Sequence, residues 1–78
     1  MTANIRRAAR GDTRRLRMLA ELDSGPAPSG PALVAEVDGR LVAALPLDGG
    51  RPVADPFVPS APLVKLLELR AAQLGPVG

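Results

Sequence analysis

Cysteine, histidine, tryptophan and tyrosine are all absent from this chain, and phenylalanine occurs once, as Phe57. Without Cys and His there is no Cys–His or Ser–His–Asp nucleophilic system, no zinc site of the usual ligands and no haem thiolate. There is no disulfide framework either. No apolar run approaches the roughly 18 residues that span a bilayer. The charged N-terminal stretch is followed by no apolar segment of the kind that marks a signal peptide. The expectation is a cytoplasmic protein with no membrane partner.

What is present is small and aliphatic. The 78 residues predict one small domain, 1–78. Ala, Leu and Val dominate, and nine of the ten basic residues are Arg, Lys65 being the exception. Nine Pro and eight Gly occur without a period, which excludes collagen. Residues 1–20 hold six Arg against one acid, Asp12, and are net +5; residues 21–78 are net −3. An asymmetry of this kind attracts nucleic acid or an acidic partner, or marks a solvated helix face.

The pattern predicts the order β-α-β-β-β-α. A short strand is expected at about 4–8, around Ile5. A helix follows at about 11–23. Leu16, Leu19 and Ala20 form its apolar arc, widened by Met18 and Leu22, and Arg10, Arg14, Arg17 and Glu21 lie opposite. Arg15 falls on the apolar side and has to snorkel or pair. Asp12 suits the helix dipole, and Gly25-Pro26 ends the helix. Residues 24–31 form a loop.

Asp38-Gly39 between two apolar runs predicts a type I′ hairpin over 32–47. A flush register sets Val37 opposite Arg40, Glu36 opposite Leu41, Ala35 opposite Val42, Val34 opposite Ala43, Leu33 opposite Ala44 and Pro31 opposite Pro46. Apolar residues on both sides predict a hairpin covered on both faces. Asp48-Gly49-Gly50 predicts a second turn leading to a strand at 51–55, with Pro46 and Pro52 opposite each other. Phe57 is expected to plug the core. The last helix is expected at 61–74, capped by Ser60 and ended by Gly75, with Leu63, Val64, Leu67, Ala71 and Leu74 inward and Leu66 beside them. The predicted fold class is α+β: a four-stranded, mostly antiparallel sheet in order 1-2-3-4 with two helices.

Ile5-Arg6-Arg7-Ala8, then Gly11-Asp12 and the Arg/Leu/Ala helix ending in Leu22-Asp23, resemble the start of a GNAT-type acyltransferase. Leu33–Ala44, with its Asp38-Gly39 turn, resembles the hairpin of that family. The whole chain is also similar to small actinobacterial proteins of GNAT type. The resemblance covers roughly residues 4–59 and implies the N-terminal half of that fold, a truncated GNAT fold. In the family a Gly-rich loop before the following helix binds the acyl-CoA pyrophosphate. Here the stretch is Asp55-Pro56-Phe57-Val58-Pro59-Ser60-Ala61-Pro62, with no Gly and no Arg, and three prolines each remove an N–H. Asp55 would repel phosphate. No Tyr stands ready as general acid, and the family's later strands lie beyond what these residues match. No family functional residue carries over, and no cofactor is expected.

Few groups are left for chemistry. Asp55 and Glu36 are the available bases, but Asp55 before Pro reads as a turn residue. Ser60 has no His and reads as a cap. Asp48-Gly49-Gly50 lacks the spacing of a phosphate loop, and Asp12, Asp23, Asp38 and Asp48 lack that of a calcium loop. Arg6, Arg7, Arg10, Arg14 and Arg17 could line one surface toward nucleic acid, but no stacking aromatics interleave with them. The expected function is therefore a non-catalytic interaction or accessory domain on a GNAT-like scaffold, with a protein partner or a second copy. Its expected surface residues are Arg10, Arg14, Arg17, Leu66 and Leu69. The alternatives are an acyl-CoA-binding protein or acetyltransferase fragment and, third, a non-specific nucleic-acid accessory protein; both ligands are disfavoured.

Overall fold

The computed structural model describes residues 3–74. The strands are β1 (Ala3–Arg7), β2 (Ala32–Val37), β3 (Arg40–Pro46) and β4 (Val53–Ala54), and the helices are α1 (Thr13–Leu22) and α2 (Ala61–Gln73). A 3₁₀ turn, Arg10–Asp12, leads into α1. The strands form one antiparallel sheet in the order β1-β2-β3-β4. This is the expected α+β order. The proposed cap Gly75 lies outside the described residues.

β2 and β3 are apolar on both sides, so both faces of the sheet need cover. α1 supplies Leu16, Leu19 and Ala20 against Val34, Leu41, Ala44 and Val53. α2 supplies Leu67 to the other cluster, Leu33, Ala35, Val37, Val42, Ala43 and Leu45, with Leu63, Val64 and Ala71 packed beside it. The two helices therefore sandwich the sheet from opposite faces. Met18 and Leu22, expected to widen the core arc of α1, are exposed, as is Leu74 on α2. A three-turn helix against a narrow sheet buries only its central stripe.

The Asp38-Gly39 turn has positive φ at both positions, 51° and 81°, as type I′ requires. Val37 pairs with Arg40 and Glu36 with Leu41 as expected. Beyond that the flush register is wrong. A bulge between Ala35 and Glu36 shifts the pairing by one, to Ala35–Ala43, Val34–Ala44, Leu33–Leu45 and Ala32–Pro46. The extra residue, Val42, joins Ala43 on the α2 face, and Leu45 swings to that face while Ala44 turns to α1. Pro31 is displaced from Pro46, and its carbonyl accepts from Leu47 N–H at 2.8 Å.

Three further expectations need correction. The strand expected at 51–55 is only Val53–Ala54, paired with Ala44 and Ala43. That register brings Pro52 level with Leu45 and not with Pro46. Phe57 does not plug the core: it is 83% exposed. Asp55 Oδ1 accepts from Phe57 N–H at 2.8 Å, and Val58 N–H donates to Asp55 O at 3.3 Å. This turn throws Phe57 outward and sets Val58 against the core. Ser60 stands at the N-cap of α2 but its hydroxyl makes no capping bond there.

α1 ends where expected, with a different left-handed residue. Ser24 takes φ 54°, Ser24 N–H donates to Glu21 O at 3.2 Å, and Gly25 N–H donates to Ala20 O at 3.0 Å. This is a Schellman closure with serine at the position glycine usually fills.

Candidate functional site

Two polar arrangements stand out, one closed and one open. The closed one centres on Asp12, which is buried although it is charged. The 3₁₀ turn brings its carboxylate back over β1. Arg6 Nη1 and Nη2 donate to Asp12 Oδ2 at 2.7 Å and Oδ1 at 3.0 Å, a bidentate pair. Ala9 N–H donates to Asp12 Oδ2 at 2.7 Å, and Asp12 N–H returns the bond to Ala9 O at 2.9 Å. Arg15 Nη2 closes on Asp12 Oδ1.

Arg15 is thereby paired, as its place on the apolar arc demanded. Its Nη1 also reaches Glu36 Oε2 at 3.2 Å and Gly39 O at 3.3 Å, and Arg6 lies 3.6 Å from Glu36. Two guanidinium groups and two carboxylates thus tie β1, α1 and β2 together. The Arg6 hydrogen bond, helped by the Ala9 N–H, holds the Asp12 carboxyl well below the usual carboxylate range against the opposing effect of burial. The same hydrogen bond raises the Arg6 guanidinium. Glu36, a candidate base from sequence, is held by two arginines. This cluster is structural: every group in it is occupied by another. A bidentate partner six residues upstream of an acid carries no local periodicity, so sequence reasoning missed it.

The open arrangement lies on the α1 face of the sheet, beside the Asp38-Gly39 turn. A cleft of about 210 Å³ is lined by Arg15, Met18, Leu19, Leu22, Gly39, Arg40, Leu41 and Asp55. The Asp55 side chain is 3% exposed. Its Oδ1 serves Phe57 N–H, the turn role read from sequence, while Oδ2 accepts no hydrogen bond and lies 3.9 Å from Arg40 Nη2. Two other hollows, of about 240 Å³ beside the Pro-rich loop and about 720 Å³ between β4 and α2, carry no buried ionisable group.

The five surface residues expected from sequence do not meet. Arg10, Arg14 and Arg17 are exposed on the 3₁₀ turn and α1, and among the described residues none forms an ion pair. Leu66 and Leu69 lie on α2, across the sheet, 46% and 60% exposed. Arg6 leaves the basic group, because Asp12 and Glu36 hold it. Asp23 does a further job: its Oδ2 accepts from Ala54 N–H at 3.3 Å and lies 3.8 Å from Arg51, which occupies a donor of the β4 edge.

The loop where the GNAT resemblance would put a pyrophosphate is poor in free donors. Pro56, Pro59 and Pro62 have no N–H, and those of Phe57 and Val58 are spent on Asp55. Among the described residues no group of three acids could hold a metal ion, and no helix is long and apolar enough to cross a membrane. Comparison of the chain with family models, curated proteins and solved structures finds no match.

Proposed function

We propose that this chain is a small non-catalytic interaction domain on a GNAT-like scaffold, and that its first partner is a second copy of itself. The carrying observation is the outer flank of α2. Leu67 meets the inward need of this helix, yet Leu66 and Leu69 remain 46% and 60% exposed on it. Adjacent exposed leucines on so small a domain favour a contact patch. A two-fold dimer uses one such patch twice, and buries apolar surface that a 78-residue chain cannot bury alone. The β4 edge is the weaker route, because Pro52 and Pro56 flank it and Asp23 occupies Ala54 N–H.

The resemblance to small actinobacterial proteins of GNAT type supports an actinobacterial source, and a cytoplasmic location is part of the same proposal. Spent donors in the 55–62 loop weigh against acyl-CoA. Sedimentation equilibrium across concentrations tests the proposal: a dimer is expected at high micromolar concentration, and a strict 8.0 kDa species there rejects it. Leu69→Glu is expected to return the monomer. A dimer that survives this change is not built on α2. Salt-sensitive binding of duplex DNA, lost on removing Arg10, Arg14 and Arg17, would favour the nucleic-acid reading instead.

A further inference from the structure

We infer that the cleft beside Asp55 binds a cationic nitrogen carried on a short aliphatic chain, an alkylammonium group, with Asp55 as its counter-ion. This is independent of the α2 surface.

The Asp55 side chain is buried at the mouth of an apolar cleft. A carboxylate this buried ordinarily gathers several donors, as Asp12 does with four. Asp55 has one, on Oδ1. Its second oxygen faces Arg40 at 3.9 Å, beyond hydrogen-bond distance, and the Arg40 side chain is 75% exposed. Oδ2 thus receives no donor from the chain within hydrogen-bond distance, and because no buried side-chain polar atom lacks a partner among the described residues, this oxygen opens onto the cleft that Asp55 lines. The other cation on the cleft, Arg15, is committed to Asp12, Glu36 and the Gly39 carbonyl.

The walls define the rest of the ligand. Leu19 and Leu41 form an apolar base, and exposed Met18 and Leu22 rise beside it. An anion is excluded by Asp55, and a metal ion would find a single carboxylate. A wholly apolar ligand would leave Oδ2 unsatisfied. A volume of about 210 Å³ falls below that of sites for drug-sized ligands, about 300–1,000 Å³, and suits a short chain. An ammonium at Oδ2 with its methylenes on Met18 and Leu22 meets each demand. Arg40 is the group it displaces.

Chemical-shift titration of the full chain tests this with two probes. n-Butylammonium represents a free amine, and Nα-acetyl-lysine N-methylamide represents a lysine side chain of another protein. Affinity on the order of millimolar is expected for at least one, with shifts concentrated at Met18, Leu22, Leu41 and Asp55. Which probe binds identifies the source. The neutral counterparts, n-butanol and the Nε-acetylated lysine amide, are expected to bind at least tenfold more weakly. Asp55→Asn keeps an oxygen for Phe57 N–H and is expected to abolish the preference for charge. Arg40→Ala removes the competing cation and is expected to tighten binding several-fold. Equal binding of charged and neutral probes overturns the inference, as does no binding by either charged probe at tens of millimolar. So does weaker binding by Arg40→Ala, a variant that remains informative if Asp55→Asn fails to fold.

Discussion

Replacing Asp12 with alanine removes the acceptor of four donors at once. The cost is smaller than that of breaking a fully buried ion pair, because the Arg6 and Arg15 side chains are 30% and 42% exposed and water can rehydrate them. Each such screened pair contributes about 0.5–1 kcal/mol. Ala9 N–H loses its partner in a part-buried position, which costs about 1–2 kcal/mol more. The expected loss is therefore about 2–4 kcal/mol, below the roughly 3–5 kcal/mol of a fully buried pair. A core this small supplies about 3–5 kcal/mol in all. Asp12→Ala should consequently populate the unfolded chain at 25 °C, and urea denaturation measures it. A loss under about 1 kcal/mol would refute the structural role of the cluster.

The same carboxylate sets the acid behaviour. Its folded pKa lies below the ordinary 3.8, so both folded and unfolded chains are ionised above about pH 5 and the stabilisation is complete there. As pH falls through 3.8 the unfolded chain takes up a proton that the folded chain refuses. Stability then declines, at up to about 1.4 kcal/mol per pH unit from this one group. Asp12→Asn cannot titrate, so its stability should fall less steeply. Parallel curves for the two proteins through this acid range would show that Asp12 is not the group responsible.

Other outcomes follow from the same contacts. Leu19→Ala and Leu67→Ala each empty a fully buried site on opposite faces of the sheet and should cost about 2–4 kcal/mol by chemical denaturation. A loss below about 1 kcal/mol would place the core of that helix elsewhere. A Cβ at Gly39 meets no atom within 4 Å, so the cost of Gly39→Val is chiefly that of forcing a β-branched residue to φ 81°, about 1–2 kcal/mol, and an unchanged melting temperature would contradict it. Calorimetry with acetyl-CoA should give no heat of binding, since the loop before α2 has few free donors; a micromolar dissociation constant would overturn that reading.

The sequence made element order and turns legible where the cue was local. Asp38-Gly39 marked a position that needs positive φ, and the i, i+3, i+4 spacing of Leu16, Leu19 and Ala20 marked a buried stripe. What stayed hidden depended on partners far along the chain. Leu41 to Leu45 is an unbroken apolar run, so a bulge at Val42 violates no alternation and no residue advertises it; register is weakly specified wherever both faces are buried. Phe57, the one aromatic residue, invites a place in the core, but the Asp55 turn decides which way it points. Asp12 and Asp55 both read as terminus or turn residues, and both are; burial is what separates them from the other acids. In Asp12 that burial is matched by donors on every side, so the charge serves stability. In Asp55 one oxygen accepts from Phe57 N–H while the other faces the exposed Arg40 at 3.9 Å across an open cleft, and that loosely held side is where the proposed cation would compete.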